Sequence, residues 1–331
     1  MKVSDIMKKI INMTSSTHDT DRYTDKADLR DFYKSRGLDG LELMLFGDLS
    51  VPEKITAEEI IGVHLSYFTH WVDFWRGNDE ALIKEYGSLE AAYERFGGSD
   101  KSAIVNKFVK ELDNAEKLNA EYVVFHIGDV KLGEVYTYKH DYTDDEVITD
   151  TCELINEILD GRNYTFHFLV ENLWWAGFSF TSPDITRKSM ENIHYAKKGI
   201  MLDTGHLLHT NRKLRTQDEA VDYIHAMLDL HGDLCNYIKG MHLNQSLSGE
   251  YVESVLNSPP PEMNSDPKQR YWDAAMHVYK IDYHHPFSTE RISMVVDRIN
   301  PLFLTHELIT NDLAEHIKHL DIQLEALKNM R

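Results

Sequence analysis

Acidic and imidazole side chains follow short apolar runs in this sequence, and the stretch from Lys198 to His206 shows the pattern most clearly. A compact apolar run there ends at Asp203, and His206 follows after a Thr–Gly turn. Such a run is typical of a buried strand, so the polar pair would lie where the strand leaves its sheet. Carboxylate and imidazole are both ligands of divalent metals, and the turn would let the two side chains point to one place.

The same pattern recurs along the chain, at residues His64, His126, Glu171, His242, Glu307 and the Asp282–Tyr283–His284 segment. Taken singly, each of these residues has an ordinary explanation, such as a rim histidine, a helix cap or a surface ion pair. Together they are harder to explain, because buried carboxylates on neighbouring strands repel one another and are costly to remove from water. A bound cation removes that cost. The pattern therefore predicts a divalent-metal site with mixed oxygen and nitrogen ligands, suited to Zn, Mn, Co or Mg.

Eight short runs rich in β-branched or aromatic residues are the predicted strands, namely Lys9–Met13, Gly40–Leu45, Ile60–Leu65, Tyr122–His126, Phe166–Glu171, Gly199–Asp203, Ile238–His242 and Leu302–Glu307. Segments with helical spacing alternate with them, at Asp25–Ser35, Ala103–Leu118, Asp144–Leu159, Asp184–Ala196, Thr216–Leu230, Ser288–Ile299 and Asn311–Lys328. This alternation predicts an α/β fold with a parallel sheet. Eight units in 331 residues fit a single (β/α)₈ TIM-barrel domain over residues 1–331.

An open, doubly wound sheet is the alternative, but no Gly-rich nucleotide-binding motif follows the first strand. Two connections are long, and they follow strands three and seven of the predicted barrel. The first runs from Ser66 to about Ser99 and includes a predicted helix at Asp79–Phe96, and the second is Leu247–Tyr279. Long loops at this end of a barrel build the rim of the active site. Because the C-terminal ends of barrel strands converge on one mouth, the acids and imidazoles are expected to meet there.

These motifs resemble those of the xylose-isomerase-like TIM-barrel superfamily, which includes sugar isomerases and epimerases and the family-2 AP endonucleases (endonuclease IV). Glu171 stands in "VEN", Asp203 and His206 in "LDTGH", and His242 in "MHLN", while Glu307 closes the last strand. In the isomerase and epimerase branch, the resemblance implies that Glu171, Asp203, His242 and Glu307 hold one metal ion. Glu171 and Glu307 would then be the acid/base pair, and His206 would bind a sugar or sugar-phosphate substrate.

The endonuclease IV branch implies a phosphodiesterase with up to three zinc ions, whose additional ligands would be His64, His126, Asp282 and His284. The last two stand in "DYHH", close to the "DRHH" of that family. "HLNQSLSGEY" departs from its "HLNDSK"-type continuation. A barrel that binds sugar without catalysis is a third alternative.

Three tryptophans have no counterpart in the nuclease pattern, and in the isomerase interpretation Trp174, Trp175 and Trp71 would stack on the C–H face of the sugar. Simple packing in the βα loops explains them about equally well.

The composition of the chain limits the binding partners that are expected. The formal net charge of −20 argues against nucleic acid, because DNA-binding proteins rely on basic surfaces. The two cysteines, Cys152 and Cys235, cannot build a disulfide framework. The sequence shows no apolar run long enough to span a membrane and no signal-peptide pattern at its N-terminus, so a cytoplasmic location without membrane association is expected. The barrels it resembles are often dimers or tetramers, but no feature of the sequence marks an interface.

Overall fold

The computed structural model describes residues 7–330 and contains a closed barrel of eight parallel strands. The strands are β1 (Lys8–Thr14), β2 (Gly40–Met44), β3 (Ile60–His64), β4 (Tyr122–Asp129), β5 (His167–Asn172), β6 (Lys198–Asp203), β7 (Ile238–Leu243) and β8 (Phe303–His306). Each strand pairs with the next along the chain, and β8 pairs with β1 to close the barrel. The predicted (β/α)₈ barrel is confirmed.

Helices connect and surround the strands. They are α1 (Thr17–Thr20), α2 (Lys26–Lys34), α3 (Val72–Arg76), α4 (Asp79–Tyr86), α5 (Leu89–Phe96), α6 (Ser102–Lys117), α7 (Glu134–Thr137), α8 (Asp144–Leu159), α9 (Pro183–Asn192), α10 (Thr204–His209), α11 (Gln217–His231), α12 (Gly249–Leu256), α13 (Pro267–Ile281), α14 (Ile292–Ile299) and α15 (Leu313–Ala326). Short 3₁₀ helices span Ala57–Glu59 and Gly232–Tyr237, and a two-residue strand at Ala176–Gly177 pairs antiparallel with the end of β4. In residues 7–330, no helix is long and apolar enough to cross a membrane.

The two long connections after β3 and β7 are more helical than the sequence indicated. The helix predicted at Asp79–Phe96 is two helices, because Gly87 ends α4 with a left-handed φ of 88° and Ser88 caps α5 by accepting from the Ala91 N–H. Left-handed φ is accessible to glycine at little cost, so this break has a local cause. The connection after β7 contains α12 and α13 in place of a long loop.

Apolar side chains fill the lower part of the barrel interior, namely those of Ile10, Ile61, Tyr122, Val124, Leu169, Met201 and Phe303. Gly62 makes room for the largest of them, because a Cβ at this position would lie 2.1 Å from the Tyr122 ring. A second apolar layer packs between the strands and the surrounding helices. The acids and imidazoles of the predicted site lie above this apolar layer, toward the C-terminal ends of the strands.

Candidate active site

Glu171, at the C-terminal end of β5, lies at the centre of the barrel mouth and has no solvent-exposed surface. Its Oε2 atom is 2.9 Å from Nε2 of His126 and 3.3 Å from Nε2 of His64. Its Oε1 atom is 3.3 Å from Nδ1 of both His206 and His242. One carboxylate therefore contacts four imidazoles, two with each oxygen.

The four residues predicted to hold one metal ion lie around His242, which is the next-to-last residue of β7. Ligand atoms of Glu171, Asp203, His242 and Glu307 all lie within 4.8 Å of one another. Nδ1 of His242 is 3.3 Å from Oε2 of Glu307 and 3.8 Å from Oδ2 of Asp203. We call these four residues the central group.

Two further groups flank the central group. Ligand atoms of His64, His126 and Glu171 lie within 4.8 Å of one another on one side. On the other side, Asp282 contacts three imidazoles: its Oδ2 is 2.9 Å from Nε2 of His284 and 3.1 Å from Nε2 of His206, and its Oδ1 is 3.0 Å from Nε2 of His209. The structure thus brings together all nine predicted metal-ligand residues in one continuous site.

The Asp203–Thr204–Gly205–His206 turn is held by its own backbone and by two asparagines. Asp203 caps α10, because its Oδ1 accepts the His206 N–H at 2.6 Å. Its main chain exchanges two hydrogen bonds with the Asn172 side chain, both at 2.9 Å. Nδ2 of Asn244 donates to Oδ2 of Asp203, also at 2.9 Å. These bonds fix the carboxylate of Asp203 toward the mouth.

Gly205 is required by this close packing, since a Cβ there would lie 1.9 Å from Oδ1 of Asn244. We expect Gly205→Ala to lower the free energy of unfolding by about 1–3 kcal/mol, measured in urea, because Asn244 must move away. Metal affinity should also fall, because Asn244 holds Asp203. Gly133→Ala is the matched control, since φ is −76° there and nothing lies within 4 Å of the added Cβ. Equal stability of the two variants would contradict the packing argument.

The electrostatics of the site distinguish the two glutamates. Burial alone would raise the pKa of Glu171, but the imidazoles of His126 and His242 hold it well below its ordinary value. Burial raises the pKa of Glu307 to about 8, against the opposing effect of His242 and His284. The pKa of His242 is well above its ordinary value despite burial, because the carboxylates of Glu307 and Glu42 surround it. The imidazoles thus outweigh burial at Glu171 and burial outweighs them at Glu307, so the two carboxyl pKa values are shifted in opposite directions.

The donor atoms present fit a divalent cation. Within residues 7–330, the ion-pair partners of the Glu171, Asp203, Glu307 and Asp282 carboxylates are histidines rather than lysines or arginines. Oε2 of Glu171 and Nδ1 of His284 are buried and make no hydrogen bond of good geometry to the described part of the chain. Imidazole with carboxylate is a ligand combination that suits Zn, Mn or Co.

A model of the xylose isomerase-like TIM barrel family matches residues 33–290 of the sequence. The chain belongs to this family. Solved structures agree in fold: a D-tagatose 3-epimerase-like protein is 14% identical, with 97% of each chain covered and a TM-score of 0.54. Mannonate dehydratase from Streptococcus suis serotype 2 is 10% identical, with 98% of this chain and 93% of that chain covered and a TM-score of 0.52. A search of curated proteins found no match.

Two of the three predicted substrate-stacking tryptophans lie beside the site of this xylose isomerase-like barrel. The Trp174 ring centroid is 5.1 Å from that of His206, and Trp175 packs on Trp174 at 4.6 Å. Both are largely buried in a cluster that joins the βα loops to α12 and α13. Trp71 instead packs in the main core, with its indole N–H donated to the Gly128 carbonyl at 3.1 Å. Stacking on substrate remains a prediction for all three.

Two residues of the site, His209 and Glu42, were not predicted from the sequence. His209 contacts Asp282 as described above, and it lies three residues after His206 on α10, a spacing that places both on one helix face. Glu42 lies in the middle of β2, and its Oε2 is 3.0 Å from Nε2 of His242. The sequence signal for Glu42 was a single acid between the apolar residues Leu41 and Leu43. A search for polar residues at strand ends does not find it, because it lies within the strand.

Proposed function

We propose that this protein is a divalent-metal-dependent isomerase or epimerase that acts on a small sugar or sugar phosphate. The observation that supports the proposal is the central group, three buried ligands and the partly exposed Glu307, with donor atoms within 4.8 Å at the mouth of a xylose isomerase-like barrel. A metal ion held there would chelate the carbonyl and adjacent hydroxyl oxygens of the substrate and acidify the neighbouring C–H group.

Glu171 and Glu307 would move the proton, and their closeness supports this role, since one oxygen of each lies 3.3 Å from Nδ1 of His242. Glu171, with its lowered pKa, would accept the proton from carbon, and Glu307 would deliver one to the neighbouring carbon or to the opposite face. His64 and His126 orient the second oxygen of Glu171. His206 lies at the edge of the central group, where it could hold a substrate hydroxyl.

The surroundings of the site support a small substrate over a nucleic acid. Lys131, in the loop after β4, is bound to Asp73 at 3.0 Å and to Asp141 at 2.7 Å, so its charge is already paired. The guanidinium of Arg212, just after α10, is 3.2 Å from Glu253. The net charge of −20 also opposes the approach of DNA phosphates, which nucleic-acid-binding proteins neutralise with basic residues.

Hydrolysis of a small phosphoester is the second candidate function, and the two flanking groups favour it. Glu171 contacts imidazoles with both oxygens and could bridge two ions, while Asp282 lies among three imidazoles. Two or three metal ions in these groups would provide an activated water and clamp the phosphate oxygens. In this second function, Glu307 would be a metal ligand and would not transfer a proton to carbon.

Metal stoichiometry and solvent exchange separate the two functions. For an isomerase or epimerase, we expect metal analysis to give about one ion per chain, and NMR in D₂O to show exchange of the α-proton in a panel of ketoses, aldoses and their phosphates. The exchange should be lost after EDTA treatment and restored by Mn²⁺, Co²⁺ or Zn²⁺. Close to three ions per chain, with cleavage of bis-p-nitrophenyl phosphate and no exchange, would favour the hydrolase. Cleavage of an abasic-site oligonucleotide would contradict the argument from charge. A chain that binds no metal would contradict both functions.

A further inference from the structure

Glu42 is a buried carboxylate that lies outside the motifs on which the family resemblance was based. Its side chain points into the barrel from β2 and is 2% exposed. Its Oε2 atom is 2.6 Å from the Tyr122 hydroxyl, 3.1 Å from the Thr305 hydroxyl and 3.0 Å from Nε2 of His242. One oxygen atom of Glu42 therefore contacts three groups on other strands, and each of these groups can donate a hydrogen bond.

These contacts determine which nitrogen of His242 carries a hydrogen. His242 has no exposed surface, so both of its nitrogens must find partners inside the barrel. Nδ1 faces the carboxylates of Glu171, Asp203 and Glu307 at 3.3 to 3.8 Å. Nε2 faces Glu42 alone among these acids. With the Tyr122 and Thr305 hydroxyls also directed at it, this oxygen of Glu42 acts as the acceptor, so the imidazole must present Nε2–H.

We propose that Glu42 is a positioning residue that holds His242 as the Nε2–H tautomer and so presents its Nδ1 lone pair to a metal ion in the central group. This role rests on the proposed function only in requiring that the central group binds metal. Hydrogen bonds from a metal-bound imidazole to a carboxylate fix ring orientation and raise ligand basicity, and their loss typically lowers metal affinity about 10–100-fold.

Glu42→Gln is the direct test, because glutamine keeps the size of the side chain and removes its charge. We expect the Zn²⁺ affinity of the purified full chain, measured by competition with a chromophoric chelator, to fall about 10–100-fold. Glu59→Gln is the matched control, with unchanged affinity expected. Glu59 is equally buried and accepts from the Tyr33 hydroxyl at 3.1 Å, but it lies just before β3, at the end of that strand opposite His64. A folded Glu42→Gln protein with wild-type affinity would overturn the proposal.

The tautomer itself can be read in the wild-type protein, so the test does not depend on the folding of a variant. Long-range ¹H–¹⁵N spectra of Zn²⁺-loaded protein with ¹⁵N-labelled histidine should show His242 protonated at Nε2, with assignment by comparison with His242→Gln. A His242 protonated at Nδ1 would overturn the proposal.

Glu42 could instead be a metal ligand itself, because ligand atoms of Glu42, His64 and Glu307 also lie within 4.8 Å of one another. Loss of one whole ion in Glu42→Gln, with the His242 signals unchanged, would make Glu42 a ligand and also overturn the proposal. If the wild-type protein bound no Zn²⁺, both this proposal and the proposed function would be contradicted. A failure confined to Glu42 would leave the proposed function intact.

Discussion

Replacement of Glu171 by glutamine is expected to have the largest effect of any single substitution in this chain. The two carboxylate oxygens of Glu171 contact four imidazoles and belong to both the central group and the His64–His126 group. The neutral amide cannot replace a carboxylate ligand, so metal should be lost from both groups. Loss of the catalytic base alone lowers turnover roughly 10²–10⁴-fold, and loss of metal adds to this. Metal analysis and the solvent-exchange assay would measure both effects.

Glu111→Gln is a suitable control for this experiment. Glu111 is also a buried carboxylate, but it lies on α6 and accepts from the Ser66 N–H at 2.9 Å and from Nζ of Lys107 at 2.7 Å. The control should keep its full complement of metal and its activity. If folded Glu171→Gln protein retained both, Glu171 would have neither of its proposed roles.

Replacement of Glu307 by glutamine should stop catalysis while leaving the fold nearly intact. The side chain is 13% exposed at the mouth, and its hydrogen-bonding partner Asn244 is 3.3 Å away, so an amide of the same size can be accommodated. Turnover should fall roughly 10²–10⁴-fold, because the proton-transfer partner of Glu171 is lost. The urea midpoint should change little. Metal in the central group should weaken, whereas metal bound by His64 and His126 should not.

The kinetic form of this loss distinguishes proton transfer from substrate binding. A fall in kcat with nearly constant KM is expected if Glu307 acts mainly in the transition state. Glu134→Gln is the control, since this buried carboxylate lies at the start of α7 and accepts the Lys131 and Asp141 N–H groups at 3.0 and 2.9 Å. Retained turnover in a folded, metal-loaded Glu307→Gln protein would contradict the proposed role of Glu307 in proton transfer.

The sequence was sufficient to predict the barrel and to identify most of the acids and imidazoles that meet at its mouth. Apolar runs such as Tyr122–His126 and Ile238–His242 are local signals, and the observed strands differ from the predicted ones by only a few residues. Parallel strands alternating with helices place all C-terminal ends at one mouth, so an acid or imidazole that follows a run can be assigned there from its position alone. β4 is the largest departure, because it continues to Asp129 and leaves His126 within the strand.

The roles of Glu42, His209 and Asn244 were decided by the tertiary structure. Glu42 is 200 residues from His242 in the chain, and the two meet only because the closed barrel directs side chains from β2 and β7 into the same interior. Asn244 supports Asp203 only because Gly205 lets the two segments approach closely. A pattern along the chain shows which face of a strand is buried. Which atoms meet across the barrel depends on strand pairing and closure, and these arise only when the whole chain folds.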